Sequence, residues 1–322
     1  MKKLMVILAV LTLALVMAAC GGKPQAGSNS PGEQGKQSGA GQEKKVKVAL
    51  LLPGPINDMG WNSSAYEGLK EAEKKFNIET KYTEKVSQSD MEDYMRGYAK
   101  DGFDLIIAHG FQFSDAAKKV AIEFPKAKFV VTQGDKPQEP NLAVIYPKST
   151  EQGYLMGIVA GLMTKKNILG AVGGQEIPPI IDTIKGFETG VKEVNPQARV
   201  LKAFTGSFDD IGKAKQTALA MIDQGADIIM TTANQASLGG IEAAKEKGAL
   251  AIGTNTDQNS VAPDTVIVSG MKSNAVGITY MVEQVIKNEF QPKLYWLGVK
   301  EVTESLKKGN INVDDLIKKN VQ

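Results

Sequence analysis

Two stretches of this chain run through the same order of segments, and that duplication excludes most folds. Residues 46–52 form a near-continuous apolar run closed by Pro53-Gly54-Pro55, and 63–76 place Ala65, Leu69, Ala72 and Phe76 at helical spacing. A strand over 78–82, a helix over 91–101, a strand over 103–108, a helix over 113–123 and a strand over 128–132 follow. The order then returns, with 168–172 as first strand, 183–194 as first helix and 199–204 as second strand. Local matches accompany it. Lys185-Gly186-Phe187 echoes Glu67-Gly68-Leu69, Gly225-Ala226-Asp227-Ile228 echoes Gly102-Phe103-Asp104-Leu105, and 250–255 echo 129–134. Short apolar strands alternating with amphipathic helices predict parallel sheets covered on both faces.

The fold class expected is therefore α/β with two lobes, each a parallel sheet flanked by helices. The tail, with a strand from Val266 and a helix over 275–287, is expected to cross between them. The first lobe is assigned 45–147 plus 256–288, and the second 148–255 plus 289–322. In an open parallel sheet, ligands bind beyond the carboxyl ends of the strands. Two such sheets facing each other across a hinge line one cleft, and closing it buries a small solute.

Residues just after each strand should face that cleft. They include Asp58, Trp61 and Asn62 after the first strand, Gly110 and Phe111 after the strand ending at His109, Glu176 in the loop 173–176, Phe208 in 206–210, Asn234 in 233–235 and Asn255 in 255–258. Trp61 and Phe208 come one from each lobe. A flat heteroaromatic guest between two rings gains roughly 1–3 kcal/mol per stack, with neighbouring amides and carboxylates reading its edge.

The N-terminus predicts export. Lys2 and Lys3 precede an apolar run over 4–17, and Ala18-Ala19 lead into Cys20, the only cysteine of the chain. This is the layout of a secretory signal over 1–19. The run Val16-Met17-Ala18-Ala19-Cys20 is similar to a lipoprotein cleavage site, which would make Cys20 the lipidated first residue of the mature chain. Residues 20–44, rich in Gly, Ser, Gln, Lys and Glu, lack the apolar side chains needed to offset ordering entropy and read as a disordered tether. The expected location is the outer face of the cell membrane. A formal net charge of +2 gives no electrostatic case for nucleic acid.

Several segments resemble the basic membrane protein family of bacterial substrate-binding lipoproteins. They are Asn57-Asp58-Met59-Gly60-Trp61-Asn62 with Ala65-Tyr66-Glu67-Gly68, His109-Gly110-Phe111, Val172-Gly173-Gly174, Gly206-Ser207-Phe208-Asp209, Gly253-Thr254-Asn255-Thr256-Asp257-Gln258 and Ser269-Gly270-Met271-Lys272. The resemblance implies a type I periplasmic-binding-protein-like fold, a monomer that delivers solute to ABC permease subunits, and a purine base stacked between Trp61 and Phe208. It further implies that Asp58 and Asn62 hold the base or sugar, and that Asn255 and Lys272 grip ribose hydroxyls. Two positions depart from the family. Its aromatic at Trp61 is more often smaller, and an acid commonly stands where Asn255 is. A carboxylate is the stronger acceptor for a diol, so the expected ligand widens to a purine nucleoside or a free purine base.

Two rival readings are a surface receptor or adhesin for another small molecule such as a sugar, and a nucleoside-processing enzyme. The sequence has no Gly-x-Ser-x-Gly, no Gly-x-x-x-x-Gly-Lys-Ser/Thr and no Gly-x-Gly-x-x-Gly. One histidine and one cysteine give little for zinc. No catalytic residue, metal or cofactor is assigned. Asp209, Asp210 and Asp257 are read first as helix or turn caps.

Overall fold

The computed structural model describes residues 45–272 and 274–298. The expected signal, Cys20, the tether and the tail beyond 298 lie outside the described residues.

The first strand explains the layering. In β1 (Val46–Leu51), successive side chains point to opposite faces of the sheet. Ala49 and Leu51 enter one apolar cluster with Met95, Phe113 and Phe129, while Val48 and Leu50 enter another with Leu69, Ile278 and Met281. Both faces are buried, so the run needs no polar alternation.

The first lobe continues with α1 (Trp61–Lys75), β2 (Ile78–Thr83), α2 (Met91–Lys100), β3 (Leu105–His109), α3 (Ser114–Glu123), β4 (Lys128–Thr132) and β5 (Leu142–Pro147). The second contains α4 (Ser149–Met163), β6 (Ile168–Gly173), α5 (Pro178–Val194), β7 (Arg199–Phe204), α6 (Ile211–Asp223), β8 (Ile228–Thr232), α7 (Ser237–Lys247), β9 (Leu250–Asn255) and β10 (Val266–Met271). After α8 (Asn274–Ile286) comes β11 (Leu294–Leu297).

The strands pair in parallel in two sheets, ordered β11-β5-β4-β3-β1-β2 and β10-β9-β8-β6-β7. Strands β2-β1-β3-β4-β5 thus match β7-β6-β8-β9-β10, and the sequence duplication is a duplication of topology. The expected α/β class with two flanked parallel sheets holds.

The strand pairing corrects the assignment of the tail. Residues 256–288 were expected in the first lobe, but β10 pairs with β9 as the fifth strand of the second sheet. Residues 289–322 were expected in the second lobe, but β11 pairs with β5 in the first. Only α8 follows the expectation, packing Ile278, Met281 and Val282 beneath the first sheet, with Asn274 donating to Ser64 Oγ of α1 at 2.8 Å. The reason is topological. Each repeat has five strands where the apolar runs suggested four, so the chain crosses to the second lobe after β5 and returns after β10.

One packing contact stands out by its closeness. Helices α4 and α5 meet backbone to backbone along a glycine seam. A Cβ on Gly157 would fall 2.1 Å from the Phe187 carbonyl oxygen, and one on Gly190 would fall 2.1 Å from that of Tyr154. Only glycine allows this approach.

Candidate functional site

The carboxyl ends of both sheets face one cavity. It is narrow with the lobes together, so a ligand of purine size enters only as they part. The first lobe contributes Trp61, Gly110, Phe111, Gln112 and Gln133, the second Ile177, Pro179, Ile180, Phe208, Thr232, Asn234 and Asn255, and the return crossing Lys272.

Trp61 is the first residue of α1, so its orientation depends on how that helix begins. The first N–H groups of a helix have no partner within it. Asp58 supplies one: Oδ1 accepts from the backbone N–H of Gly60 and Ser63, each at 3.0 Å, and Oδ2 accepts from the N–H and the side-chain amide of Asn62, each at 2.8 Å. Asn62 Oδ1 in turn accepts from Gly54 N–H at 3.3 Å. Both side chains are buried and bonded within their own loop, and neither is in the cavity wall.

Behind Trp61 lies His109, at the end of β3. The rings stack with centroids 4.1 Å apart and planes 20° from parallel. His109 Nε2 lies 2.9 Å from the Trp61 carbonyl, which can only accept, so this nitrogen carries the proton. Nδ1 then accepts from the Thr132 hydroxyl at 2.7 Å. Burial is complete and pushes the imidazole pKa down to about 3, so the ring is neutral at physiological pH. With both nitrogens engaged and no tendency to take a proton, His109 cannot serve as a general base. It is a backing plate for the indole.

The ammonium of Lys272 stands over the indole, 5.5 Å from the ring centroid. Its backbone N–H donates to the Asn255 carbonyl at 3.1 Å, holding the two residues together where β9 and β10 end. Burial lowers the Lys272 pKa to about 7, and the Asp182 carboxylate on α5 works against that shift.

Backbone conformation gathers at this rim. Met59, Gln133, Asn234 and Asn255 all have positive φ, at 51°, 53°, 46° and 71°. Non-glycine residues in this region are uncommon and cluster where function demands an unusual turn. Gly110, at φ 130°, occupies a region that only glycine enters readily.

The lobes also touch. The Met59 carbonyl accepts from Thr256 Oγ1 at 2.7 Å and from Gln258 Nε2 at 3.2 Å. The Tyr146 hydroxyl donates to Asp182 Oδ2 at 3.2 Å. Burial raises the Asp209 carboxyl above its usual range, and the Asp58 carboxylate of the other lobe adds to the effect.

Of the residues expected from sequence, the cavity brings together Trp61, Gly110, Phe111, Phe208, Asn234, Asn255 and Lys272. Asp58 and Asn62 are withdrawn into the start of α1, and Glu176 is exposed outside the wall. Asp210 caps α6, accepting from Lys213 N–H at 2.8 Å. The wall also includes Gln133, Thr232, Ile177, Pro179 and Ile180, which sequence reasoning did not single out. The first two end strands and were open to the same strand-end argument as Asn234. The others are the N-cap residue Ile177 and the first turn of α5, which starts at Pro178, five residues before the expected Thr183.

This cavity sits in a chain whose residues 45–322 match the family model described as ABC transporter substrate-binding protein PnrA-like. The chain belongs to that family. Within it, the chain is 31% identical to Basic membrane protein A of Borreliella burgdorferi over 304 residues, 92% of this chain and 85% of the relative. It is 31% identical over 262 residues to a purine-binding protein of Brucella abortus, covering 80% of this chain and 74% of the relative. Among solved structures, a solute-binding protein of an Aeropyrum pernix ABC transporter matches with a TM-score of 0.74 and 27% identity, over 80% of this chain and 75% of that one. Membership in the PnrA-like family makes the chain an ABC-transporter solute-binding protein. The family and fold are those of binding proteins rather than enzymes. No described helix is long and apolar enough to cross a membrane.

Proposed function

We propose that this chain captures a purine nucleoside or purine base outside the cytoplasm and delivers it, as a monomer held to the membrane by lipid on Cys20, to the permease of an ABC importer. The reading rests on one observation: Trp61 and Phe208, from opposite lobes, line a single cavity whose remaining polar groups are mostly neutral amides. Rings of this kind stack on any purine, and amides such as Asn234, Asn255 and Gln112 can donate to and accept from its edge. The Brucella abortus relative is named for purine binding, which supports the same ligand class.

Melting the protein with guanosine, adenosine, inosine, adenine and other purines tests the reading. At 100 times the dissociation constant, binding stabilises the folded state by about 2.7 kcal/mol, so at least one purine should raise the Tm. Trp61→Ala should then weaken binding by roughly tenfold or more, the worth of one stacked ring. A Tm that rises with sugars or amino acids but with no purine would overturn the ligand class.

A further inference from the structure

The cavity contains one ionisable group. Among the described residues that line it, Lys272 is the only one that can carry charge; the rest are apolar or aromatic groups, glycine, amides and the Thr232 hydroxyl. Lys272 is 7% exposed, and no described carboxylate comes within ion-pair distance of its ammonium. Asp182 acts on it from α5, but that carboxylate accepts from Tyr146 and lies outside the cavity wall. A buried cation without a partner is costly, and proteins ordinarily pair it. Here the free space beside Lys272 is the ligand's, so the missing negative charge is the ligand's to bring.

Ribose hydroxyls can accept from an ammonium but do not neutralise it. An electron-rich planar anion does both. We propose that the preferred guest is an oxopurine bound as its anion, such as urate or ionised xanthine, with its negative edge on Lys272 Nζ and its ring plane against Trp61. This inference rests on the purine reading above and narrows it. Asn255 suits such a guest. Where an acid would repel an anion and pair with Lys272 itself, the neutral amide leaves the cation available. The other charged or titratable groups around Lys272 do not supply the charge. His109 is neutral behind the indole, Asp182 is shared with Tyr146, and Asp58 and Asp209 lie outside the cavity wall.

The pH dependence has a definite sign. With Lys272 titrating at about 7 in the empty cavity, it is charged below that pH and ready for an anion. Above it, binding an anion must take up a proton, so affinity for a guest that is anionic throughout falls by up to roughly tenfold per pH unit. A neutral purine such as adenine has no such requirement.

Isothermal titration calorimetry of the full chain with urate, xanthine, adenine and guanosine, at about pH 6 and about pH 8.5, tests this by linkage. Urate should bind roughly tenfold or more tighter than adenine at the lower pH, lose most of that advantage at the higher one, and take up protons there, read from buffers of different ionisation enthalpy. Lys272→Met should abolish the discrimination, with a Tm no lower than the parent's showing that the variant folds. Equal or better binding of adenine or guanosine at both pH values would overturn the anion preference and leave the purine reading standing. So would discrimination that survives in Lys272→Met. Failure of every purine to bind would overturn both.

Discussion

Replacing His109 by glutamine isolates the cost of keeping an imidazole neutral inside the protein. In the unfolded chain the ring takes a proton near 6.5, and in the folded protein only near 3. Between those values the unfolded state holds one more proton than the native state, so stability is full above the unfolded value and falls as pH drops. Each pH unit in that window costs about 1.4 kcal/mol. From about pH 7 to about pH 5 the histidine alone should remove about 2 kcal/mol. Carboxylates add their own pH dependence, but wild type and variant share it. His109→Gln should be the less stable at neutral pH, having lost the ring stack and part of the bonding to Trp61 and Thr132, a cost of about 1–3 kcal/mol. The gap should close by about 2 kcal/mol on acidification from about pH 7 to about pH 5. Urea denaturation followed by circular dichroism at a series of pH values measures it. Stability curves that stay parallel would mean that His109 takes up a proton as readily in the folded protein as in the unfolded chain, and the backing-plate assignment would fail.

Three other variants probe other parts of the site. Thr256→Val removes the shorter of the two hydrogen bonds from the second lobe to the Met59 carbonyl; ligand should dissociate several-fold faster, in line with about 1 kcal/mol, with little change in Tm. Asp58→Asn replaces an acceptor of N–H groups at the start of α1 by a group that can fill only part of that role. It should lose about 1–3 kcal/mol of stability and bind ligand more weakly, because Trp61 sits on the turn it anchors. Gly157→Ala drives a methyl group into the α5 backbone and should cost about 1–3 kcal/mol or more in urea denaturation.

Much of this architecture was legible in the sequence because the central strands of both sheets are buried on both faces. Such strands appear as unbroken apolar runs, and β1, β3 and β8 have no exposed residue. The tail was misassigned where that signature fails. In β10 only Val266 is buried, Ile267 to Gly270 are partly exposed and Met271 is exposed, so it does not announce itself as the closing strand of a repeat. α5 starts at Pro178-Pro179, ahead of the expected Thr183, because proline is well suited to the first turn of a helix although it carries no apolar periodicity. Trp61 and Phe208, which both line the cavity, stand out in the sequence because an aromatic in a polar strand-end loop is conspicuous. Asp58 is conspicuous for the same reason and misled, since nothing in a linear pattern separates an acid that meets a guest from one that satisfies a helix start. Nor does periodicity encode the positive φ values of Gln133, Asn234 and Asn255, which depend on how the strands end in three dimensions.

The glycine contact between α4 and α5 has a mechanical consequence. With backbones touching there are no long side chains between the two helices to repack, so the pair turns as one stiff lever. Its near end carries Ile177, Pro179 and Ile180 in the cavity wall, and its other arm begins at Ser149, whose hydroxyl accepts from Gln133 of the opposite lobe at 2.8 Å. Pressure from a guest on the tip is therefore felt undiminished at the first crossing between the lobes, favouring an all-or-none response over a graded one.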